Sequence, residues 1–235
     1  MWIQVAGVQD GEEARTVLAC GIRHLGFPLR LPVHPEDLSE AEAAAIIRSL
    51  PDDCTAVAIT YQDDADEIVD FVDYLGATAI QLHGDIAARE LARVKTLKPQ
   101  LLVLKSLVVG RYPEHRLAST VESLSPWVDA FITDTFDPVS GASGATGRTH
   151  DWQVSRRLVE CSPRPVVLAG GLTADNVAEA IRGVRPAGVD SHTGVEDASG
   201  RKSADKVRRF ADAARAAFAE LGHRRLLRPI DGSRD

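Results

Sequence analysis

Short apolar runs recur along the whole chain and alternate with helical patterns, and this alternation limits the fold more than any other feature. The runs cover residues 2–5, 25–29, 56–61, 78–82, 101–104, 130–133, 165–169 and 187–190. Each is mostly apolar along its length, as expected of parallel strands that are buried on both faces. Between them, apolar residues recur at helical spacing, as at Ile68, Val72 and Leu75. The pattern predicts repeated βα units.

Eight βα units in 235 residues favour an α/β fold with one closed (β/α)8 TIM barrel, although the pattern alone also fits an open doubly wound sheet. The barrel is expected over residues 1–222, followed by a polar tail, residues 223–235, that has little to bury and should fray. Pro28 removes one ladder donor from the second predicted strand. Ser39 and Glu42 predict a capping box at the start of a helix over residues 39–50.

Charge and cysteine usage exclude several function classes. The formal net charge is −7 and the charges are interleaved, so no basic stripe is offered to a nucleic acid. Three scattered cysteines, Cys20, Cys54 and Cys161, fit neither a disulfide framework nor a zinc site, and reduced, buried thiols are expected. We expect no metal, no cofactor and no membrane segment, and a cytoplasmic location.

Glycines that follow the last two predicted strands suggest a phosphate site. Gly170 and Gly171 allow backbone amides to approach an anion, and a helix starting near Thr173 would point its positive end there. After the eighth strand, His192, Thr193 and Gly194 can supply further donors, and these two loops form the usual phosphate site of such barrels. Tight βα turns, which also need glycine, are the alternative interpretation.

Two ionisable residues in apolar strands are candidates for catalysis. Asp134 closes the sixth predicted strand, where partial burial would tune its carboxyl group as a general acid or base; a helix or loop cap is the alternative. Lys105 follows the fifth strand and suggests Schiff-base, aldolase-like chemistry. The glycine-rich segment 141–147 lacks the ending of a P-loop, so we interpret it as an active-site loop rather than a nucleotide site.

Five ordered motifs resemble phosphoribosylanthranilate isomerase, a tryptophan-pathway enzyme that performs an Amadori rearrangement. They are Gln81-Leu-His-Gly84, Gly144-Ala-Thr-Gly147 through Asp151-Trp152, Leu168-Ala-Gly-Gly-Leu172 with Asn176-Val177, Gly188-Val-Asp190, and Gly194-Val-Glu196. The resemblance implies that Asp134 is the general acid that assists opening of the ribose ring. It also implies that the 5-phosphate is held by glycines and a threonine, Gly170, Gly171, Thr193 and Gly194. Further candidates for substrate binding are Asp190, His192, His83, Thr146 and Gly147.

The chain departs from the family pattern at the general base and at the carboxylate clamp. Gln4-Val5-Ala6-Gly7 stands where the family has Lys-Ile-Cys-Gly, whose cysteine removes a proton from C2 of the sugar. The segment 34–36, His-Pro-Glu, stands where the family has Ser-Pro-Arg, whose arginine receives the anthranilate carboxylate. Histidine titrates near neutrality, so His192 is a replacement base or, alternatively, a phosphate donor, and His34 is a weaker candidate. His150 is a second new histidine, and His83 has a structural hydrogen-bonding role as its alternative.

The sequence therefore supports three functional hypotheses. The first is a diverged isomerase acting on a phosphorylated ribosylamine or a related sugar phosphate, with weak or absent turnover of phosphoribosylanthranilate itself. The second is a non-catalytic phosphosugar-binding or regulatory homologue, and the third is a lyase or aldolase on the same barrel. A monomer or homodimer that binds a phosphorylated sugar is expected, without nucleic-acid or membrane partners.

Overall fold

Eight parallel strands close into one barrel, in the order in which they occur along the chain. The structure, a computed structural model, describes residues 1–32, 37–136 and 149–222. The strands are Trp2–Ala6 (β1), His24–Pro28 (β2), Thr55–Thr60 (β3), Ala79–Leu82 (β4), Leu102–Val109 (β5), Ala130–Thr135 (β6), Val166–Leu168 (β7) and Gly188–Ser191 (β8). Pairing of β1 with β8 closes the ring. The predicted (β/α)8 barrel is confirmed, and the open sheet is wrong.

One helix follows each strand and lies outside the barrel. The helices are Gly11–Ala19 (α1), Glu40–Ser49 (α2), Ala65–Leu75 (α3), Ala88–Leu97 (α4), Glu114–Leu124 (α5), Trp152–Cys161 (α6), Val177–Val184 (α7) and Ala204–Glu220 (α8). The capping box predicted at Ser39 is present, because the Ser39 hydroxyl accepts from the Glu42 amide and the Glu42 carboxylate accepts from the Ser39 amide. Asp10, Asp64 and Asp151 cap three other helices. These caps set where the βα loops before α1, α2, α3 and α6 end.

Side chains alternate between the inside of the barrel and the layer under the helices. Ala6, Val57, Leu104, Ile132 and Val167 belong to the cluster inside the barrel. The larger cluster between strands and helices contains the buried aromatic side chains Phe27, Phe71, Phe131, Phe210 and Phe218. Because consecutive residues face opposite sides, a polar residue at an inward position points toward the barrel axis. This register decides which side chains build the site.

Two predicted boundaries and one burial prediction need correction. β5 continues to Val109, so Lys105 lies in the middle of that strand and not at its end. α7 begins at Val177, four residues after the predicted start, because a turn over residues 174–176 precedes it. All three thiols are free, as expected, but only Cys20 is buried; Cys54 is half-buried and Cys161 is exposed.

Within the described residues, no helix is both long and apolar enough to cross a membrane. The predicted tail, residues 223–235, lies outside them. The same residues contain no group of three or more His, Cys, Asp or Glu side chains placed to hold a metal ion.

Candidate active site

A chain of hydrogen-bonded polar side chains crosses the inside of the barrel below its carboxyl-end face. Gln4 donates to Gln81 (3.2 Å), and Gln81 donates to the Ser106 hydroxyl (3.4 Å). His83 Nδ1 lies 2.9 Å from the same hydroxyl. Sequence reasoning missed Gln4 and Ser106 as site residues. A polar residue at an inward position of a buried strand was the signal that could have identified both.

Asp134 stands at the upper end of this network, on the inner face of β6. Its side chain is 13% exposed, and its Oδ2 lies 3.9 Å from His83 Nε2. Oδ1 accepts a hydrogen bond from the Thr135 amide at 2.7 Å. Burial raises the pKa of Asp134 to about 7 because desolvation disfavours the charged carboxylate. Near neutral pH the group can therefore hold and release a proton, as a general acid requires.

A second buried carboxyl group, Asp190 on β8, faces the same space. It is paired in register with Gln4 of β1, and among the described residues its Oδ1 has no hydrogen-bond partner. Burial, reinforced by the nearby Asp134 charge, raises the pKa of Asp190 to about 8. Two such carboxyls resist ionising together. Asp190 thus belongs with Asp134 at the barrel axis rather than with the glycine loops.

The predicted phosphate loops after β7 and β8 lie against each other. Gly170 and Gly171 have φ values of 98° and 63°, which glycine adopts without strain. A Cβ on Gly170 would lie 2.2 Å from the Thr135 hydroxyl, and one on Gly194 would lie 1.9 Å from the Leu172 carbonyl oxygen. Glycine is therefore required for close packing of the loops, as the tight-turn interpretation expects. The same absence of Cβ leaves the backbone open to an anion.

The helix terminus at this cradle differs from the one predicted. The Thr173 amide donates to the Asn176 side chain at 2.8 Å, so it is already satisfied and α7 starts only later. A 3₁₀ turn, Thr193–Val195, begins directly after His192 instead. Its first amides have no partners within the turn and belong to the β8 loop of the cradle. The helical turn that begins beside Gly170 and Gly171 therefore starts at Thr193 and Gly194.

His192 covers the end of β1. Its ring lies so close to Gly7 that a Cβ there would be 2.1 Å from Nε2, and Gly7 follows Ala6 directly. His192 Nε2 is 3.4 Å from Glu196 Oε1. The same carboxylate oxygen lies 2.5 Å from the Lys202 ammonium, whose side chain is fully buried. Glu196 and Lys202 thus hold a histidine beside the position where the family pattern places a cysteine.

The other new histidine, His150, lies at the carboxyl end of β6, where a Cβ on Gly170 would be 3.0 Å from its Nδ1. Its Nδ1 lies 2.9 Å from the Thr135 hydroxyl and its Nε2 lies 2.6 Å from the Ser155 hydroxyl. Burial lowers the pKa of His150 to about 4. With both ring nitrogens engaged and the ring neutral, His150 joins β6 to α6 and does not serve as a base.

The remaining predicted site residues are not brought to the cradle. His83, which directly follows β4, contacts the Ser106 hydroxyl and approaches Asp134, on the wall opposite the β8 loop. These contacts fit the alternative interpretation of His83, a structural hydrogen-bonding role. Lys105 points away from the barrel axis, since Leu104 and Ser106 on either side of it point inward. The segment 34–36, with His34, and the loop that contains Thr146 and Gly147 lie outside the described residues.

Comparison with known proteins identifies the family. The family model for N-(5'-phosphoribosyl)anthranilate (PRA) isomerase matches residues 3–213. The chain belongs to the phosphoribosylanthranilate isomerase family. Isomerase 2 of Methanosarcina mazei is 37% identical over 223 residues, which cover 94% of this chain and 97% of that relative.

Solved isomerase structures share the barrel. The enzyme from Thermotoga maritima superposes with a TM-score of 0.77 at 27% identity and covers 92% of this chain and 99% of its own. An isomerase in complex with reduced 1-(o-carboxyphenylamino)-1-deoxyribulose 5-phosphate superposes with a TM-score of 0.75 at 24% identity, with the same coverage of both chains. At that identity the second likeness shows the fold alone.

No thiol of this isomerase-family chain lies at the carboxyl-end face. Cys20 follows α1, Cys54 directly precedes β3, and Cys161 ends α6, so all three lie where helices lead back to strands. That face of a (β/α)8 barrel serves stability, whereas the βα loops at the other face carry catalysis. Any base that acts here must therefore be another kind of group.

Proposed function

We propose that this protein isomerises N-(5'-phosphoribosyl)anthranilate to 1-(o-carboxyphenylamino)-1-deoxyribulose 5-phosphate. The observation that carries the proposal is a buried carboxyl group, Asp134, with a pKa raised to about 7. It lies at the carboxyl-end face of a barrel whose β7 and β8 loops provide a glycine cradle. Membership in the family and a relative of that name at 37% identity support this substrate against the sequence-based expectation of weak turnover.

In the first step Asp134 donates its proton to the ring oxygen of the ribose. The bond between C1 and the ring oxygen breaks, and the lone pair of the anthranilate nitrogen forms the C1=N iminium. Asp134 becomes a carboxylate as C4 gains a hydroxyl group. Only the protonated acid can start this step, so turnover is expected to fall as pH rises through the Asp134 pKa of about 7.

In the second step His192 removes the proton from C2. The electrons of that C–H bond form a C1=C2 double bond, and the iminium electrons return to nitrogen, which gives a neutral enolamine. The enolamine then gains a proton at C1 and loses the proton of its C2 hydroxyl, leaving the ketone. No oxidant or reductant is needed, because the aldehyde oxidation level at C1 moves to C2 within the molecule.

The surroundings of His192 support its role as base. Its ring lies against Gly7, next to Ala6, and Glu196 faces its Nε2 at 3.4 Å. A carboxylate at that distance stabilises the imidazolium that forms when the ring accepts a proton. Lys202, bound to the same carboxylate, holds Glu196 in place.

The phosphate is proposed to bind between the β7 and β8 loops, against the backbone of Gly170, Gly171, Thr193 and Gly194. A helix end and close backbone approach are what an anion site needs. Binding of the substrate by Thr146 and Gly147 and the choice between monomer and homodimer stay predictions, and a phosphate contact from His192 stays the alternative to its role as base. The cytoplasmic location also stays a prediction.

The Schiff-base alternative is not supported by the geometry. Lys105 is 4% exposed and donates to the Ser106 carbonyl oxygen at 2.7 Å. It lies on the outer side of β5, so its ammonium cannot reach a substrate at the barrel axis. A measurement of turnover distinguishes the isomerase from the alternative, a non-catalytic protein that binds phosphorylated sugars.

A spectroscopic assay of phosphoribosylanthranilate consumption tests the proposal. The protein is purified from a host that lacks its own isomerase, and binding of reduced 1-(o-carboxyphenylamino)-1-deoxyribulose 5-phosphate is measured in parallel. Turnover that this compound inhibits is expected. Binding of the compound without turnover would support the non-catalytic homologue, and neither binding nor turnover would exclude this substrate class.

A further inference from the structure

A crevice of about 390 Å³ opens between α4 and α5, on the outer side of β5. Its walls combine polar side chains such as Thr120 and Ser123 with apolar ones, which include Ile86, Ala88, Leu107, Leu117 and Leu124. Walls that mix polar and apolar side chains suit an organic ion that also has an apolar body. None of these residues takes part in the proposed isomerisation.

Lys105 brings a buried charge to this crevice. It is 4% exposed, and among the described residues its ammonium makes one hydrogen bond, to the Ser106 carbonyl oxygen at 2.7 Å. An ammonium group has three N–H donors, so this acceptor leaves donors unsatisfied in a buried position, which is costly. Burial accordingly lowers the pKa of Lys105 to about 8.

The rim of the crevice adds two more cations. Arg116 lies over the Tyr112 ring at 4.1 Å from its centroid, and Arg111 lies 5.3 Å from the same centroid. The Tyr112 hydroxyl donates to Asp85 at 3.2 Å. Among the described residues, Lys105, Arg111 and Arg116 thus share the crevice with one carboxylate, Asp85. The aromatic ring holds the two guanidinium groups at the entrance, and the local charge favours an anion.

We propose that this crevice is a second ligand site, which binds a small organic carboxylate with an apolar body. The carboxylate would accept hydrogen bonds from Lys105 and from Arg116, while the body packs against the leucines of α5. A charge-assisted hydrogen bond to a buried ammonium is strong enough to orient such a ligand. β5 separates the Lys105 side chain from the barrel axis, so we expect ligands to occupy this site and the isomerase site at the same time, even though His83 and Ser106 border both.

Benzoate is the probe, and calorimetric titration measures its binding to the wild type, Lys105→Met, Arg116→Gln and the control Arg208→Gln, an exposed arginine on α8. We expect Lys105→Met and Arg116→Gln each to weaken binding by about tenfold or more, and Arg208→Gln to leave it unchanged. Each titration is repeated in the presence of reduced 1-(o-carboxyphenylamino)-1-deoxyribulose 5-phosphate. Undiminished benzoate binding is expected there, whether or not the proposed isomerase activity holds.

Nitrogen NMR of the lysine side chains gives a second readout that does not depend on how well Lys105→Met folds. Bound benzoate should raise the pKa of the Lys105 ammonium, since a nearby anion favours its charged form. Three results would overturn the proposal. They are equal benzoate affinity in Lys105→Met, displacement of benzoate by the phosphorylated compound, and binding of inorganic phosphate in place of benzoate.

Discussion

The two ends of the barrel differ in whether their polar groups have hydrogen-bond or ion-pair partners. At the amino end, His24 stacks on Trp2 with 3.9 Å between ring centroids and lies 3.1 Å from the Ile3 carbonyl oxygen. Arg23 pairs with Asp53 at 2.9 Å. At the carboxyl end, by contrast, Asp190 has a buried oxygen with no partner among the described residues. The amino end has its polar groups satisfied, whereas the carboxyl end retains unsatisfied ones.

This difference shows which end of the fold favours stability and which favours chemistry. Desolvation lowers the pKa of His24 to about 4, so it stays neutral and structural. Desolvation of Asp134 raises its pKa to about 7 and keeps it ready to exchange a proton near neutral pH. Burial without a compensating partner costs stability, and functional sites commonly accept that cost.

The largest expected effect comes from removing the acid. Asp134→Asn should lower kcat by about 10²- to 10⁴-fold, because the amide cannot protonate the ring oxygen. Asp53→Asn, which removes an exposed carboxylate at the amino end, should leave kcat unchanged. Steady-state rates of phosphoribosylanthranilate consumption compare the two. Equal losses of kcat in both variants would mean that catalysis does not depend on the carboxyl end more than on the amino end of the barrel.

Stability at alkaline pH should change next most. The pKa of Asp134 and that of Asp190 lie above their unfolded values, at about 7 and about 8. The contribution of the two protonated carboxyl groups to the free energy of unfolding is therefore fully present below pH about 4. It is lost as pH rises through the two raised pKa values. Asp190→Asn should raise the free energy of unfolding at pH 9 by on the order of 3 kcal/mol and change it little near pH 4.

Denaturant titrations of the wild type and Asp190→Asn at pH 4 and pH 9 measure the free energy of unfolding. Asp53 is the opposite case, because its pKa is lowered rather than raised. The hydrogen bond from Arg23 lowers the pKa of Asp53, so its contribution is present above the ordinary value and is lost as pH falls through the lowered one. If Asp190→Asn destabilised the protein equally at both pH values, the carboxyl would be ionised and paired in the native state.

A smaller effect should follow from closing the glycine cradle. Gly170→Ala places a Cβ 2.2 Å from the Thr135 hydroxyl at a φ of 98°. We expect a loss of about 1 to 3 kcal/mol in unfolding free energy and a higher KM. Gly200→Ala is the matched control, because its φ is also positive but no atom lies within 4 Å. Thermal unfolding and KM are measured for both variants. Equal changes in the two would mean that backbone strain at a positive φ, and not closure of the cradle, causes the effect.

The smallest effect is predicted for the thiols. A variant that combines Cys20→Ala, Cys54→Ser and Cys161→Ser should keep kcat within about twofold, because general-base losses are far larger than that. The assay is the same, and circular dichroism checks the fold. A large loss of kcat with the fold intact would show that a thiol takes part after all.

Much of the fold could be predicted from the sequence, because parallel strands that are buried on both faces have mostly apolar sequences. All eight strands were predicted, and β1 and β3 lie within one residue of their predicted bounds. β5 was predicted too short because Lys105 and Ser106 interrupt its apolar run. In the structure both are buried, one under the helices and one inside the barrel. A polar residue at a strand's interior therefore did not mark its end.

The site was predicted less completely, because sequence gives strand ends but not contacts across the barrel. Asp134 and the glycines follow from their positions at strand ends. The influence of the Asp134 charge on Asp190 depends on barrel closure, which brings β6 and β8 to one axis. The contact between His192 and Gly7 likewise joins residues 185 positions apart, and no local pattern encodes it. The contacts of His150 were not predicted, because its partners Thr135 and Ser155 lie on different elements.

The most direct test of the central claim is the kcat of His192→Gln on phosphoribosylanthranilate, relative to the wild type and to His115→Gln, an exposed histidine on α5. The claim that His192 replaces the thiol base predicts a loss of about 10²-fold or more for His192→Gln. It predicts an unchanged rate for the control. A His192→Gln enzyme that keeps the wild-type kcat would contradict the claim and leave the histidine as a phosphate donor.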